Sequence, residues 1–268
     1  MNSMNLAEIW DISLKFLYTD KYVSGLERFL QKQAAKRILD CACGTGFPSI
    51  ELLIRGFDVT LSDGSLAMLR KARESAERKG LKVPLKNIKW GELNKKFSAG
   101  FDCVLCRGNS FVYADSWNRE WISAENALKE MRTALENFYD VLKPGGIFYV
   151  DVASQEEFRR GRSSIIHNFE KRKINGKELS LLWVMDIDRK ERSRTWTPKI
   201  TEWQNGVAVK SEVALAKSYL LTHYELKRMI SQAGFSGIQE CVKIYGEENY
   251  DVFVAQKPLE KMCKGAGR

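Results

Sequence analysis

The sequence predicts an α/β protein with a doubly wound, mostly parallel sheet of about seven strands and an inserted antiparallel β cap. Strand-like and helix-like segments alternate through short connections up to about residue 155, which is the order that a parallel sheet requires. Two Asn-Gly pairs, Asn175-Gly176 and Asn205-Gly206, then predict antiparallel hairpins, because both turn positions need a positive φ. The composition, 44% hydrophobic and 29% charged in 268 residues, is that of an ordinary globular protein.

Hydrophobic periodicity predicts the elements of the first part. Helical spacing of apolar residues occurs over 11–33, 48–55, 65–79 and 119–142. Short apolar runs typical of buried strands occur over 37–40, 58–62, 87–90, 101–106 and 147–152. Glycines mark the ends of the last three helices: Gly56, Gly80 and Gly145, the last within the run Lys143-Pro144-Gly145-Gly146.

The second part has a different pattern. About four antiparallel strands are expected between 165 and 221, around the two Asn-Gly turns. Thr222 predicts the start of a helix over 222–233, and Gly234 lies just past its end. Two closing strands are expected over 238–244 and 250–256.

These elements suggest a catalytic domain with additions. Residues 1–34 are expected to form an N-terminal helical lid, and residues 35–155 and 220–258 the catalytic domain. Residues 156–219 are expected to form a substrate cap, and residues 259–268 a flexible basic tail.

The net charge of +9 does not by itself indicate a nucleic-acid partner. The basic residues are spread along the chain, and the densest cluster, 159–162, has no interleaved aromatic side chains. No stretch approaches the roughly 20 apolar residues of a membrane span, and the polar N-terminus does not resemble a signal peptide. We therefore expect a cytoplasmic protein with a small-molecule substrate and no membrane or nucleic-acid partner, with a homo-oligomer as an open possibility.

Six cysteines are scattered along the chain, and their spacing does not favour a metal site or a disulfide. Cys103 and Cys106 have the spacing of half a zinc site, but both lie inside an apolar strand-like run. We expect them to be buried strand residues, and we expect no metal.

A glycine-rich loop follows the first predicted strand, where residues 41–49 read CACGTGFPS. A dinucleotide site favours a third glycine, where this chain has Ser49, and the Asp40 carboxylate just before the loop would repel a pyrophosphate. A carboxylate there favours a cationic ligand, and S-adenosylmethionine carries a sulfonium and an ammonium. A second acid, Asp63, ends the second strand, where such folds bind ribose hydroxyls. The loop therefore favours S-adenosylmethionine over NAD.

A resemblance to the class I S-adenosylmethionine-dependent methyltransferases covers about residues 15–155. It rests on four stretches: RILDCACGTGFPSIELLIRGFDVTLSDGSLAMLRKAR, WGEL, FDCVLCRGNSFVYA and VLKPGGIFYVD. Within that class, CRGNSF and the inserted cap resemble the glycine and sarcosine N-methyltransferase family. The resemblance implies S-adenosylmethionine as the cofactor and S-adenosylhomocysteine as its product.

The resemblance also implies roles for individual residues. Those around the methionine part of the cofactor are Asp40, Cys41, Ala42, Gly44, Gly46, Arg107 and Gly108. Those around the adenosine part are Asp63 at the ribose, and Gly64, Met68, Gly91, Glu92 and Leu93 at the adenine. The catalytic positions are Asn109, which would contact the substrate, and Tyr18, which would close over the methyl group.

Several of these residues have a structural alternative that the sequence leaves open. Met68 and Tyr18 have the positions of helix core residues. Glu92 fits a solvated loop equally well, and Asn109 fits a turn in which its side chain satisfies backbone groups.

Aromatic and histidine residues in the second part have two interpretations as well. Trp183, Trp196 and Trp203 lie on expected cap strands, where they would either line a cage for a methylated ammonium or form the cap core. His167 is a weak candidate for a base, and His223, in the first turn of a helix, is expected to be structural.

One departure from the family bears on the substrate. Glycine N-methyltransferases carry an arginine shortly after the fifth strand that grips the substrate carboxylate, and Ala153 occupies that place here. Arg107, Arg159, Arg160 or Arg162 would have to substitute for it. Otherwise the substrate is not a simple amino acid.

The expected function is methyl transfer to a small-molecule amine, with glycine, sarcosine or a related amino acid as the first candidates. Three alternatives stay open: another small O or N nucleophile, an RNA substrate, and a non-enzymatic S-adenosylmethionine-binding module. A cap over the strand ends encloses a pocket and so favours a small substrate over RNA.

Overall fold

The computed structural model describes residues 3–114, 116, 120–154, 163–244 and 250–259. Within them the chain forms a seven-stranded sheet with packed apolar clusters on both faces and a five-stranded antiparallel sheet. This confirms the predicted fold class, a doubly wound α/β domain with an antiparallel cap.

The strands are named in chain order. They are β1 (Arg37–Asp40), β2 (Asp58–Asp63), β3 (Leu85–Asn87), β4 (Phe101–Cys106), β5 (Leu142–Ala153), β6 (Ser164–Ile174), β7 (Lys177–Asp188), β8 (Ser193–Gln204), β9 (Val207–Val213), β10 (Ala216–Tyr219), β11 (Ser236–Val242) and β12 (Tyr250–Gln256). The order across the larger sheet is β11-β12-β5-β4-β1-β2-β3, and β12 alone runs against the other six described strands.

Strand β1 lies at the point where the strand order reverses. It pairs in parallel with β2 on one side and with β4 on the other. Ligands of such sheets bind beyond the carboxyl ends of the strands at this point, so the fold directs attention to the segments that follow β1, β2 and β4.

The helices are α1 (Leu6–Leu17), α2 (Asp20–Lys32), α3 (Ser49–Ile54), α4 (Leu66–Glu77), α5 (Leu93–Lys96), α6 (Ala124–Val141) and α7 (His223–Gln232). The single helix predicted over 11–33 is wrong, because the chain forms two helices there. Asn5 and Glu8 form a capping box that starts the first one earlier than expected. Tyr18 and Thr19 are both extended and separate the two. Leu14 of α1 joins the same core cluster as the buried residues of α2, so the apolar spacing continues across the break.

Two other boundaries differ from the prediction. The third strand ends at Asn87, and the 3-10 turn Trp90–Glu92 occupies the end of the range expected to be strand. Helix α6 starts after its cap Ser123 and leads directly into β5, without the stop loop expected around Gly145. That run instead pairs with the segment that follows β12: Gly145 N donates to the Lys257 carbonyl (2.9 Å), and Lys257 N donates back to the Gly146 carbonyl (2.9 Å).

Between residues 163 and 219, which the structure describes, the cap contains five strands instead of the expected four or so. Both predicted hairpin turns are present, and all four of their residues have a positive φ: Asn175 (52°), Gly176 (81°), Asn205 (50°) and Gly206 (80°). The additional strand is β10, which pairs with the first residues of β8, whereas β9 pairs with its last ones.

The last helix and the cysteines agree with the sequence. Thr222 and Glu225 form a capping box at the start of α7, and Gly234 follows its end with φ 95°. The four cysteines in the first part, Cys41, Cys43, Cys103 and Cys106, are free thiols buried at β1 and β4. The predicted tail after Leu259 lies outside the described residues. Among the helices that are described, none is both long enough and apolar enough to cross a bilayer.

Candidate active site

A cavity of about 740 Å³ opens beyond the carboxyl ends of β1, β2 and β4. This volume lies within the range of small-molecule sites. The segments after the strands line most of it: Cys41, Ala42, Cys43, Gly44 and Phe47 after β1, residues 63–68 at β2, Asn87, Lys89, Trp90 and Gly91 after β3, and Arg107, Gly108, Ser110, Tyr113 and Ala114 after β4. Helices α1 and α6 add Asn5, Leu6, Ala7, Trp10 and Glu130.

The glycine loop turns sharply out of β1. Gly44 has φ +53° and lines the cavity, whereas Gly46 has φ +98° and does not line it. A Cβ at Gly46 would overlap the end of the Ile50 side chain and would stand at a positive φ that other residues rarely adopt, so this position favours glycine. The predicted loop residues therefore divide into cavity wall (Cys41, Ala42, Gly44) and support (Gly46).

Asp63 joins the loop to the end of β2. Its Oδ2 accepts from Gly44 N (2.9 Å) and its Oδ1 accepts from Ser65 N (2.8 Å). A carboxylate has about four acceptor positions, so lone pairs remain on both oxygens for a ligand in the cavity that Asp63 lines. Burial raises the pKa of Asp63 to about 6, despite these two backbone donors.

Asp40 lies beneath the loop and does not line the cavity. It accepts from Ser49 Oγ (2.5 Å) and Ala42 N (3.1 Å), and its Oδ2 lies 3.6 Å from Arg107 Nε. Burial raises the pKa of Asp40, although Arg107 opposes that shift. The cation beside the Asp40 carboxylate is thus the Arg107 side chain of the same protein. The expectation that Asp40 directly attracts a cationic ligand is therefore wrong.

The segment after β4 is fastened to the end of β5. Asp151 accepts from Gly108 N (2.9 Å) and Asn109 N (2.5 Å), and Asn109 Oδ1 accepts from Ala153 N (3.1 Å). Burial raises the pKa of Asp151 to about 6. Asn109 has φ 56°, is buried and does not line the cavity. Its side chain therefore has the structural role that the sequence left open, which is to satisfy backbone groups.

Arg107 lines the cavity and also contacts the buried residues behind it. A guanidinium nitrogen donates to the Phe47 carbonyl. Burial alone would lower the pKa of Arg107, but Tyr22 and Asp40 raise it above its ordinary value. The guanidinium is therefore held in place by the protein itself.

Tyr18, the predicted residue over the methyl group, lies in the break between α1 and α2 and does not line the cavity. Its ring packs against Tyr22 (centroids 4.7 Å apart) and Phe47 (5.7 Å) beneath the loop. Trp10 is the aromatic residue that covers the loop from α1. It lies 3.5 Å from the position of a Cβ at both Gly44 and Gly108.

Sequence reasoning missed Trp10, because the first helix was placed too late to include it. The capping-box pair Asn5 and Glu8 was the signal that would have located the earlier start. Trp10 packs against Trp196 (5.5 Å, edge-on) and Trp183 (6.4 Å) of the cap. It thus joins the first helix, the loop and the cap.

The residues predicted to surround an adenine are only partly brought together. Gly64, Met68 and Gly91 line the cavity. Glu92 is exposed and Leu93 is part of the core, and neither lines it.

Asn87, Lys89 and Trp90 occupy this part of the wall and were missed. Trp90 Nε1 donates to the Cys41 carbonyl (2.7 Å), which ties this wall to the loop. The expected strand over 87–90 concealed the turn that presents these residues.

The cap tryptophans are mainly structural. Trp183 and Trp196 are buried against each other, with ring centroids 4.7 Å apart, and neither lines the cavity. Trp203 donates through Nε1 to Ser180 Oγ (2.9 Å).

The two histidines lie away from the cavity. His223 is buried between Glu240 and Asp251, each 3.3 Å away, as a structural residue would be. His167 is exposed on β6. Of the candidate replacement arginines, Arg159, Arg160 and Arg162 lie outside the described residues.

The sheet order, the glycine loop and the acid at the end of β2 together define a nucleoside-type site on a doubly wound sheet. Residues 32–234 match the methyltransferase domain family, and the chain belongs to that family, within the class I S-adenosylmethionine-dependent methyltransferases.

More particular similarity is to glycine/sarcosine N-methyltransferases. The protein of that description from Aphanothece halophytica is 40% identical over 122 residues, which are 46% of this chain and 42% of that protein. The one from Halorhodospira halochloris is 38% identical over 122 residues, 46% of this chain and 41% of that protein. The chain thus matches less than half the length of these relatives.

A solved structure of similar fold is that of S-adenosylmethionine-bound CalS10, an amino pentose methyltransferase from Micromonospora echinaspora. It superimposes with a TM-score of 0.68 over 96% of this chain and 99% of that one. The identity is 17%, so this likeness concerns the fold.

Proposed function

We propose that this protein transfers a methyl group from S-adenosylmethionine to the nitrogen of a small-molecule amine, with glycine, sarcosine or a related amino acid as the first candidates. The observation that carries the proposal is the meeting of the Gly44 turn with the Asp63 carboxylate on the wall of one cavity of about 740 Å³. The similarity to glycine/sarcosine N-methyltransferases supports the choice of an amine.

The cavity fits the cofactor by its size and by the chemistry of its wall. Gly44 has no side chain, so its backbone is open to the cavity, and a Cβ there would project toward Trp10. Asp63 keeps acceptor positions for the two ribose hydroxyls, and Gly64, Met68 and Gly91 offer an apolar surface for adenine. On this assignment Cys41, Ala42, Arg107 and Gly108 hold the methionine part, mostly through backbone groups. S-adenosylmethionine, when bound, supplies a methyl group that is already activated.

The remaining task of the protein is positioning, because in-line displacement needs the amine held close and collinear, with water excluded. Trp10 covers the loop, and Tyr113 and Ser110 line the cavity beside it, so these residues would shape the space in which the amine is held. Asp40, Gly46 and Asn109 act in this proposal as positioning residues that hold the loop and the segment after β4. Tyr18 packs behind Phe47 and would support that residue.

The domain division belongs to the same proposal. Residues 1–34 act as a lid and residues 156–219 as a cap over the catalytic domain formed by 35–155 and 220–258. The packing of Trp10 against Trp183 and Trp196 supports this, since it joins lid and cap directly above the loop.

We also propose a cytoplasmic location and a small-molecule partner. The four buried free thiols support a reducing compartment. Light scattering of the purified protein would show whether it forms a homo-oligomer.

The test is transfer of labelled methyl groups to a panel of glycine, sarcosine, dimethylglycine, larger amino acids, simple amines, phenols and bulk tRNA. Label in one or more amines supports the proposal. Label in tRNA or phenols alone overturns it, and so does tight cofactor binding without transfer to any amine.

A further inference from the structure

Glu130 on α6 is a carboxylate on the cavity wall for which the protein supplies no partner. The residue lines the cavity and is half-buried. No hydrogen bond or ion pair joins its side chain to any residue in the ranges that the structure describes. Charged groups that are withdrawn from water are ordinarily paired, because their desolvation is costly. A ligand in the cavity is therefore the available source of a partner for Glu130.

The position of Glu130 connects the cavity wall with the cap. Thr133, one turn further along the same face of α6, has its Cγ2 3.4 Å from the position of a Cβ at Gly91, which also lines the cavity. Helix α6 also contacts the turn Ser110–Tyr113 after β4, and both the helix and this turn contact β10 of the cap. The helix that carries Glu130 therefore forms part of the wall on the side that the cap adjoins.

The other charged residues of the described wall are Asp63, Lys89 and Arg107. Asp63 accepts from two backbone N–H groups, and Lys89 is exposed to water. Arg107 Nε has no hydrogen-bond partner, but it lies 3.6 Å from Asp40 Oδ2, so a carboxylate already opposes the charge of the guanidinium. Glu130 is therefore the charged wall residue that has neither a protein partner nor full contact with water.

The chemistry of methyl transfer restricts which cation can bind beside Glu130. The nitrogen that attacks the methyl group must offer a lone pair, so that nitrogen is neutral when it reacts. A protonated nitrogen held by Glu130 is then a second nitrogen of the same acceptor. A carboxylate in that place would be repelled by Glu130.

We propose that Glu130 binds a protonated nitrogen of the methyl acceptor and so selects a diamine, in which a second amine accompanies the one that is methylated. This rests on the proposed function, and it moves diamines ahead of amino acids among the amines to be tried. A charge-assisted hydrogen bond from an ammonium to a carboxylate supplies both affinity and orientation. The amino group of adenine is another N–H donor that the cavity would receive, and the test separates it from the acceptor.

The test measures binding to the complex of the protein with S-adenosylhomocysteine, so that it does not depend on turnover. Two sets of probes carry a methyl, an ammonium or a carboxylate group at the far end of a chain of equal length. The shorter set is ethylamine, ethylenediamine and glycine, and the longer set is butylamine, putrescine and γ-aminobutyrate. In at least one set the diamine is expected to bind the wild-type complex about 10- to 100-fold more tightly than the monoamine, the range of a hydrogen bond between charged groups, and the amino acid least tightly.

Glu130→Gln is expected to remove the preference for diamines. The variant leaves no protein group without its partner, because Glu130 has none to lose, and it is therefore expected to fold. Glu130→Lys should reverse the order and favour the amino acids. Glu125→Gln removes an exposed charge from the first turn of the same helix and is the matched control, with the wild-type order expected. Binding of S-adenosylhomocysteine should be equal in Glu130→Gln and the wild type.

Three results would overturn the proposal. The first is a wild-type complex that binds the diamines no more tightly than the monoamines or the amino acids. The second is a preference for diamines that persists in Glu130→Gln. The third is a loss of affinity for S-adenosylhomocysteine in Glu130→Gln by the factor expected for the diamines, which would assign Glu130 to the amino group of adenine.

The binding data also separate this proposal from the proposed function. Methylation of monoamines or amino acids without a preference for diamines leaves the amine function standing and removes the role of Glu130. Binding of diamines that depends on Glu130, together with an absence of transfer to any amine, leaves the cation site standing and removes the proposed reaction.

Discussion

Arg107 and Asp40 form an ion pair beneath the glycine loop, with Nε 3.6 Å from Oδ2 and side chains that are 4% and 0% exposed. The pair ties the segment after β4 to the end of β1, the two strands that flank the reversal of the sheet order. Asp40 therefore shapes the loop from below, whereas Asp63 lines the cavity.

Removing one member of this buried pair is expected to destabilise the protein strongly. Asp40→Asn and Arg107→Met each leave an uncompensated buried group, so each should lower the free energy of unfolding by about 3 kcal/mol. The double variant should cost less than the sum of the two, because it leaves no unpaired charge. Urea denaturation of the three variants measures this.

The exposed pair Lys79 and Glu51 (2.7 Å) is the matched control for that experiment. Its removal should cost less than about 1 kcal/mol, since water already solvates both groups. Additive effects at Asp40 and Arg107 would contradict a buried pair.

Asp63 is expected to carry much of the cofactor affinity. Asp63→Asn should weaken binding of S-adenosylhomocysteine by about 10- to 100-fold, because an amide cannot accept from two hydroxyls as a carboxylate does. Isothermal titration calorimetry gives the affinity. Asp58→Asn, an exposed change at the other end of β2, is the control and should have no effect. Equal affinities in the two variants would place the ribose elsewhere.

The raised pKa of Asp63 predicts a pH dependence of cofactor binding. With a pKa of about 6 against an ordinary 3.8, the Asp63 carboxyl of the free protein is mostly protonated below about pH 6, whereas ribose hydroxyls need the ionised form. Affinity for S-adenosylhomocysteine should therefore rise through about pH 6 and level off above it, and Asp63→Asn should lack this step. Titrations between about pH 5 and about pH 8 compare the two profiles, and the difference isolates Asp63 from Asp151.

The same shift predicts an opposite trend in stability. A carboxyl whose pKa is higher in the folded protein favours folding when it is protonated. The contribution of Asp63 to the free energy of unfolding of the cofactor-free protein should fall as the pH rises from about 4 to about 6. Thermal unfolding without cofactor should show a shallower decline in Asp63→Asn, and an unchanged decline would contradict the assignment.

Gly44 is expected to matter for the cofactor as well as for the backbone. Gly44→Ala and Gly176→Ala both place a Cβ at positive φ, +53° and +81°, and each should lose about 1 kcal/mol of stability. Only Gly44 lines the cavity, whereas the Cβ at Gly176 meets nothing within 4 Å. Loss of cofactor affinity in Gly44→Ala alone, measured by calorimetry, is therefore the expected result. Equal affinities would show that the cofactor keeps away from the loop.

Features set by local interactions were predictable from the sequence. The Asn-Gly turns need positive φ at adjacent positions, and the Thr222 side chain caps the helix within one turn, so both appear where the sequence placed them. The loop and Asp63 were predictable for a related reason, because parallel strands bring the segments after them to one edge.

Features that depend on packing between distant segments were not predictable. Tyr18 packs against Phe47 of the loop, and Asn109 accepts a hydrogen bond from the end of β5. Neither residue lines the cavity. Trp10 reaches the loop only because α1 lies across the strand ends beneath the cap. These choices depend on which neighbours are available in three dimensions.

By itself, the sequence determined the doubly wound sheet and the inserted antiparallel cap, because periodicity and turn chemistry act over a few residues. The cofactor followed from the resemblance to a known family, and not from the charge of Asp40. The tertiary structure decided which acid faces inward, Asp40 toward Arg107, and which faces the cavity, Asp63. The physical reason is that a buried charge needs a partner, and whether that partner is protein or ligand depends on groups brought together from distant parts of the chain.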